Sequence, residues 1–475
     1  MYWVAAVFAV VLAAFADRYG YHRDEMYFLA AGRHLSFGYA DQPPLTPLVA
    51  RAMAAIDPNS LVLLRVPAIA AMVAVVLCAG WMAREFGGGR GAQALAAGAV
   101  ASSALALAAG HMLGTTAFDL ALWSAIVVVV LRLVREGGDP RWWPAVGVLT
   151  GVGLSNKVLL MFAVAALVGA LLLVGPRKVF ATKYFPLAVG IAVLIWAPYL
   201  WWQARNGWPQ WELSRAIAGG SSGTSNSRLD FVVLQLVLMG VLASPLWVAG
   251  WWRLWRLPRY RAFAVAYVLL FVVLVVAGGK AYYLGGMYPP LLAAGAVPLA
   301  AWLGAHRKVW AAVGFGFVVQ IATSAVLFLP VLPISVLRDS PVLAVNYDAG
   351  ETIGWPRFVR EIAEARARHA PGMGILTGNY GEAGAVERFG AAYDLPTPHS
   401  VHNAYWWWGP PPGTAPVLTV GIRGELLTRF CADVRPAGHI DNGLGIDNDE
   451  QDAPLAVCTP RESWASMWPR MRHLG

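Results

Sequence analysis

Long apolar stretches alternate with short polar ones as far as about residue 330, where the pattern stops. A helix that crosses a bilayer needs roughly 20 mostly apolar residues. The pattern predicts eleven such helices, near residues 1–17, 61–83, 91–110, 117–134, 142–155, 158–174, 184–203, 231–251, 262–277, 284–304 and 309–331. The first stretch could instead be a cleaved signal peptide, although it lacks the basic segment with which such peptides begin.

The remaining residues, 341–475, have the mixed composition of a soluble domain. GMGILTG and APVLTVGI are typical of strands, whereas GEAGAVERFG and GELLTRFCADV are typical of helices. The sequence therefore predicts a mainly α, polytopic membrane domain over 1–340, followed by a small α/β domain over 341–475. Cys431 and Cys458 lie in this second domain, where a disulfide bond is one possibility and two free thiols are the other.

Composition supports the membrane interpretation. Hydrophobic residues make up 58% of the 475 residues and charged residues only 13%, against about 25% charged residues in ordinary globular proteins. Intrinsic disorder is excluded by the same numbers, and a disulfide-stapled scaffold is excluded because the chain has only 3 Cys. The net charge of +9 would suggest nucleic-acid binding in a soluble protein.

The positions of the basic residues explain this charge differently. They occupy every second loop: Arg84 and Arg90; Arg135 and Arg141; Arg177, Lys178 and Lys183; Arg253, Arg256, Arg259 and Arg261; Arg307 and Lys308. The positive-inside rule places these five loops in the cytoplasm, which puts the N-terminus inside and the C-terminal domain outside. Arg18 and Arg23 alone favour the reverse orientation, and five agreeing loops outweigh them.

Carboxylates occur among the polar groups on the opposite, outer side. Asp24 and Glu25 begin a predicted helix over 24–35 in the first outer loop, 18–60, where a second short helix follows the prolines near 43–47. They are candidate catalytic groups, although first-turn carboxylates also stabilise a helix dipole. Asp119 lies inside an apolar span at its outer end, where an acidic group either faces a cavity or pairs with a cation.

Three outer-side cations are candidates for binding a phosphate: Lys157, Lys280 and Arg205. Such groups hold an anionic lipid-linked phosphate and stabilise the charge of a leaving group. For the lysines, snorkelling toward lipid headgroups is the alternative. A proton relay in a transporter would also use carboxylates beside lysines.

The weaker candidates concern the sugar or the acceptor. They are His22, Tyr282, Tyr283 and Trp406. Trp406 belongs to an aromatic run that either stacks on a sugar or packs within its domain. The second long outer loop, 204–230, contains a Gly/Ser-rich stretch at 219–227, and this loop is predicted to be a mobile gate. The sequence contains no P-loop, no strand-linked GxGxxG, no HExxH and no CxxC pair, so no cofactor is predicted, and a divalent cation is possible without a motif for it.

Four segments together resemble a known family: YHRDEMYFLAAGRHLSFGYADQPPLTPLVAR, GTTAFDLALW, GLSNKVLLMF and GGKAYYLGGMYPPLLAAGA. They are similar to the bacterial protein-mannosyltransferase-like branch of glycosyltransferase family 39, which has the GT-C fold. The resemblance implies a polyprenyl-phosphate sugar donor and an acceptor on the outer side. It implies that Asp24 is the catalytic base, that Glu25 matches the second acid of the motif, and that Asp119 is a further outer-side carboxylate.

The expected function is therefore that of a glycosyltransferase of the cytoplasmic membrane. It would transfer a hexose or pentose, with inversion, to a hydroxyl of a protein, lipid or cell-envelope glycan. A transporter or flippase of lipid-linked substrates is the alternative, and a non-catalytic membrane scaffold is a third. The donor sugar, acceptor, carrier length and oligomeric state leave no signal in the chain.

Overall fold

The computed structural model describes residues 1–219 and 227–474. The chain divides into two units: a membrane unit (Met1–Ala16, Gln42–Thr46 and Val62–Leu329) and a sheet unit (Asp17–Asp41, Pro47–Leu61 and Pro330–Gly475). The first outer loop was predicted to be part of the membrane domain, whereas most of it belongs to the same unit as the C-terminal residues. Within the predicted gate, the Gly/Ser-rich stretch at 219–227 lies outside the described residues apart from its two end residues.

Helices dominate the described part of the chain. In chain order they are α1 Tyr2–Ala14, α2 Arg23–Arg33, α3 Leu45–Ile56, α4 Leu61–Glu85, α5 Arg90–Ala101, α6 Ala104–His111, α7 Thr115–Val134, α8 Trp143–Leu154, α9 Leu160–Val174, α10 Tyr184–Arg205, α11 Pro209–Ala218, α12 Arg228–Met239, α13 Ser244–Arg256, α14 Arg261–Ala277, α15 Tyr288–Ala305, α16 Trp310–Phe328, α17 Ile334–Arg338, α18 Val342–Val345, α19 Trp355–His369, α20 Tyr380–Phe389, α21 Ala404–Trp407, α22 Gly424–Phe430 and α23 Trp464–Met471. The strands are β1 Gly374–Thr377, β2 His399–Ser400, β3 Val417–Val420, β4 Cys431–His439 and β5 Pro454–Pro460.

Every predicted span contains a helix or a pair of helices. Within the described residues, five helical segments are long and apolar enough to cross a membrane: α4, α7, α10, Ala281–Ala305 and Arg307–Phe328. Two bent pairs raise the number to seven if each pair is one span: α5 with α6 and α12 with α13. The other four predicted spans correspond to α1, α8, α9 and α14, which have 12 to 17 residues. A polytopic membrane protein is confirmed, and eleven crossings stay a prediction.

Local chemistry explains both bends. Between α5 and α6, the Ser103 hydroxyl accepts a hydrogen bond from the Ala106 N–H at 3.2 Å, so it caps a new helix and ends the old one. Between α12 and α13, Gly240 has φ of +88°, a conformation that side-chain-bearing residues rarely adopt. The two pairs are bent by 64° and 88°.

Three of the five basic loops meet at one end of the membrane unit. Arg135, after α7, lies 3.6 Å from Glu85 at the end of α4. Arg259, between α13 and α14, lies 3.4 Å from Glu136. These ion pairs join loops that the alternation of spans assigns to one side, which supports the predicted topology.

The sheet unit contains a five-stranded mixed sheet with the order β2-β1-β3-β5-β4. β1 is parallel to β2 and β3, whereas β5 is antiparallel to β3 and β4. The two predicted strands form β1 and β3, which confirms a small α/β fold. The helix predicted over GELLTRFCADV is too long, because α22 ends at Phe430 and Cys431 begins β4 by pairing with β5. Cys431 and Cys458 form a disulfide bond between these two strands.

Candidate functional site

The two predicted acids, Asp24 and Glu25, have different roles in the first turn of α2. His22 is the N-cap, and its Nδ1 accepts a hydrogen bond from the Asp24 N–H at 3.2 Å. The Glu25 carboxylate accepts the His22 backbone N–H at 2.9 Å and is fully buried, which completes a capping box. The Asp24 side chain is 44% exposed. Of the pair, Asp24 is thus the carboxylate that a ligand can reach, and Glu25 caps the helix.

Asp24 has a partner that the sequence did not reveal. The Tyr380 hydroxyl donates a hydrogen bond to Asp24 Oδ1 at 2.7 Å. Burial raises the pKa of Tyr380, and the neighbouring Asp24 carboxylate raises it further, so the phenol stays protonated and able to donate. The Tyr380 ring packs against Tyr27 and His402, with ring centroids 4.8 Å and 5.1 Å away.

Small residues on α20 allow this contact. A Cβ atom on Gly381 would lie 2.8 Å from Arg23 Cβ, and one on Gly384 would lie 3.0 Å from Met26 Cβ. The two glycines are three residues apart and therefore share one face of the helix. Their lack of side chains lets α20 approach α2 closely enough for Tyr380 to reach Asp24.

Further carboxyl groups surround the start of α2. Arg23 pairs with Glu351 at 3.2 Å and with Asp449 at 2.6 Å. Burial raises the pKa of Glu382 to about 8 and raises the pKa of Glu450 well above its usual range. Neither carboxylate oxygen of Glu450 has a hydrogen-bond partner among the described residues. Burial therefore favours the protonated form of both acids.

Asp41 is a second carboxyl group that the sequence did not single out. The Tyr27 hydroxyl donates to Asp41 Oδ1 at 2.6 Å and accepts the Ala404 N–H at 3.1 Å. Burial raises the pKa of Asp41 to about 7, although the Tyr27 hydrogen bond opposes the shift. Tyr27 thus links the first outer loop to the start of α21, the helix that contains Trp406.

A separate group of predicted residues meets within the membrane unit. The Lys157 ammonium lies over the rings of Tyr282 and Tyr283, at 4.9 Å and 5.0 Å from their centroids. It also donates a hydrogen bond to the Thr116 hydroxyl at 3.4 Å. Burial lowers the pKa of Lys157, and Asp119 opposes that shift. Four candidates from distant parts of the sequence thus form one cluster, and Lys280 lies close enough to act on Lys157 as a like charge.

Asp119 faces a narrow cavity. Its Oδ1 atom is buried and has no hydrogen-bond partner among the described residues, and the same holds for Trp123 Nε1. Asp119, Trp123, Leu160, Leu270 and Tyr283 are among the lining residues. Buried polar atoms in proteins almost always have a partner. Asp119 Oδ1 can accept a hydrogen bond and Trp123 Nε1 can donate one. Together they are able to bind a hydroxyl group or a water in this cavity.

Comparison with known proteins identifies the architecture. Residues 41–202 match the family described as dolichyl-phosphate-mannose-protein mannosyltransferase. The structure is similar to that of ArnT from Cupriavidus metallidurans bound to undecaprenyl phosphate, with a TM-score of 0.59 and 15% identity over 96% of this chain and 97% of that chain. The apo form of the same ArnT gives a TM-score of 0.60, with the same identity and coverage. The chain has the GT-C fold. A comparison with curated protein sequences gave no match.

The GT-C fold is what the sequence resemblance predicted, and it is confirmed. At 15% identity, the similarity establishes the fold without assigning individual residues. The roles of the candidate residues therefore rest on their own contacts in the structure.

In this GT-C protein, the contacts of two candidate residues, Arg205 and Trp406, give each of them a structural role. Arg205 ends α10, is exposed, and lies over the Trp201 ring at 5.2 Å. Trp406 and Trp468 exchange hydrogen bonds, each indole N–H donating to the other's backbone carbonyl at 2.8 Å. Trp406 thereby packs against the core of the sheet unit. Within the described residues, no group of three or more His, Cys, Asp and Glu side chains is arranged to hold a metal ion.

Proposed function

We propose that this GT-C protein transfers a sugar from a polyprenyl-phosphate donor to an acceptor hydroxyl on the outer side of the cytoplasmic membrane. The observation that carries the proposal is the match over 96% of the chain to ArnT in complex with undecaprenyl phosphate. The match of residues 41–202 to a family of dolichyl-phosphate-mannose-dependent transferases supports the same donor class.

Asp24 is the general base in this proposal. The acceptor hydroxyl gives its proton to Asp24 Oδ2 while the acceptor oxygen attacks the anomeric carbon of the sugar. The bond between that carbon and the phosphate oxygen breaks, and its electron pair leaves with the polyprenyl phosphate. This single displacement inverts the anomeric configuration. The exposure of Asp24 and the engagement of only its Oδ1 atom by Tyr380 support the role.

Lys157 binds the donor phosphate in this proposal, together with Lys280. The phosphate gains negative charge as the sugar departs, and a fixed ammonium group stabilises that charge. A charge that is partly removed from water interacts more strongly than one in bulk solvent. The Tyr282 and Tyr283 rings hold the Lys157 ammonium in place, and Asp119 favours its charged form.

The test uses purified protein in proteoliposomes. Undecaprenyl-phosphate-linked mannose, glucose and aminoarabinose, each with a radiolabelled sugar, serve as donors, and envelope membranes from a strain that lacks the protein serve as acceptor. We expect labelled product and release of undecaprenyl phosphate with one of the donors. Asp24→Asn should lower the rate at least ~100-fold, since a general base contributes roughly 10²–10⁴.

The matched control is Asp433→Asn, which changes an exposed aspartate that forms a surface ion pair with Arg435 at 3.3 Å. Surface pairs of this kind contribute little, so activity should be retained. Full activity in Asp24→Asn would refute the assignment of the base. Movement of the labelled lipid across the bilayer without a new glycosidic bond would favour the transporter alternative.

A further inference from the structure

We propose that Tyr380 is a positioning residue that holds the Asp24 carboxylate with Oδ1 engaged and Oδ2 directed to the acceptor. This inference rests on the proposed role of Asp24 as the base. It assigns a catalytic contribution to the C-terminal part of the chain, because Tyr380 lies 356 residues after Asp24.

The contact has the geometry of a strong hydrogen bond. The Tyr380 oxygen lies 2.7 Å from Asp24 Oδ1, within the range of charge-assisted O–H···O⁻ bonds. Asp24 Oδ2 lies 4.0 Å from His22 Nδ1, which is beyond hydrogen-bond distance. Within the described residues, no side chain donates to Oδ2. One carboxylate oxygen is therefore fixed and the other is available to a hydroxyl group.

The surroundings of Tyr380 are rigid enough to orient a neighbour. Tyr380 is the first residue of α20, and a capping box fixes that end of the helix. In the box, the Asn379 side chain accepts the Glu382 N–H and the Glu382 side chain accepts the Asn379 N–H, both at 2.9 Å. The Tyr380 ring also packs against Tyr27 and His402. A half-exposed aspartate samples several rotamers, and a donor fixed in this way selects one of them.

The hydroxyl acts through Asp24 alone. Its loss should therefore lower activity only while Asp24 is present, whereas the loss of a residue with only a packing role would weaken the protein in either background.

The first experiment needs no sugar donor. Dicyclohexylcarbodiimide reacts with carboxyl groups, and mass spectrometry measures the rate of its addition to Asp24 at one fixed pH. In Tyr380→Phe, which keeps the ring, we expect faster addition to Asp24, because the phenol no longer engages its Oδ1 atom. The matched control is Tyr405→Phe, which removes a phenol–carboxylate bond of 2.9 Å to Glu387 in the same unit. Asp24 labelling should then stay as in the wild type.

The second experiment measures transfer. Tyr380→Phe should lower kcat about tenfold with little change in the KM for the donor, since the hydroxyl orients the base and does not bind the lipid. In an Asp24→Asn background the same substitution should cause no further loss, because the group that it positions is already inactive.

These outcomes separate the two proposals. Wild-type labelling and a wild-type kcat in Tyr380→Phe would overturn the positioning role even if Asp24 is the base. Full transfer activity in Asp24→Asn would overturn the proposed base, while the labelling result would still show whether Tyr380 engages the Asp24 carboxylate. Thermal unfolding of Tyr380→Phe and Tyr405→Phe, compared side by side, detects a general loss of structure.

Discussion

Lys157 differs from the other candidate phosphate ligands in its surroundings. Its ammonium is partly buried, lies over two tyrosine rings and interacts with Asp119, whereas Arg205 is exposed. Partial removal from water strengthens the attraction between an ammonium and an anion, and the rings reduce the entropy that binding would otherwise cost. Among these cations Lys157 should therefore contribute most to donor affinity.

This leads to a prediction for Lys157→Met, which keeps most of the aliphatic stem within the ring contacts and removes the charge. The affinity for undecaprenyl phosphate in detergent micelles, followed by tryptophan fluorescence, should fall about 10- to 100-fold, as expected for the loss of a charge-assisted hydrogen bond. Lys178→Met, in an exposed basic loop, is the matched control and should bind as the wild type does. Equal binding by both variants would remove Lys157 from the phosphate site.

The site residues that the sequence alone reveals differ physically from those that it does not reveal. Asp24, Asp119 and Lys157 are conspicuous because a charge within an apolar or helix-initiating segment is unusual in its local sequence. Tyr380 and Asp41 are ordinary in theirs, and they become significant only through partners that folding brings close. The separation of 356 residues between Tyr380 and Asp24 leaves no local signal of that kind.

Among the elements, the packing of α20 against α2 depends on glycine. In an exposed helix, alanine is favoured over glycine by about 1 kcal/mol. At Gly381, alanine should instead be less stable than glycine. The added Cβ would lie 2.8 Å from Arg23 Cβ, which is part of a rigid helix and has little room to move.

Gly381→Ala should therefore destabilise the sheet unit by ~1–3 kcal/mol, the usual cost of overpacking. It should also lower transfer activity by lengthening the Tyr380–Asp24 hydrogen bond. Thermal unfolding and amide hydrogen exchange in α2 and α20 measure the effect. Gly424→Ala is the matched control, since α22 begins there and no atom lies within 4 Å of the added Cβ. A neutral result at both positions would show that α20 has freedom to shift.

Sequence patterns predict some ends of helices and strands and miss others. α20 was predicted well because its sequence carries both a capping box and an apolar face. The end of α22 was not, because Cys431 adopts its strand conformation by pairing with β5, an element far along the chain. The two-residue β2 is too short to produce any alternation.

In the molecule as a whole, low charge content and alternating apolar stretches were sufficient to predict a polytopic membrane protein. They were insufficient to assign the first outer loop to its unit, because the packing of that loop with the C-terminal residues is tertiary and leaves no local pattern. They also overstate helix length, since bends at Ser103 and Gly240 divide two of the predicted spans.

The distribution of charge predicts the orientation of the protein in the membrane. The basic loops at one end of the membrane unit should be cytoplasmic and the sheet unit should be on the outer side. Glu136→Cys and Glu425→Cys place single exposed thiols in a basic loop and in α22, respectively. The native cysteines do not interfere, because Cys78 is buried and the other two are bonded to each other.

A membrane-impermeant maleimide applied to intact spheroplasts should label the Glu425→Cys protein and should label the Glu136→Cys protein only after the membrane is permeabilised. This asymmetry follows because transfer of the basic loops across the membrane would oppose the positive-inside rule at five places, whereas Arg18 and Arg23 oppose it at one. The reverse labelling pattern would place Asp24 and the disulfide in the cytoplasm. A donor presented on the outer side would then be out of reach, and the proposed reaction would have to be abandoned.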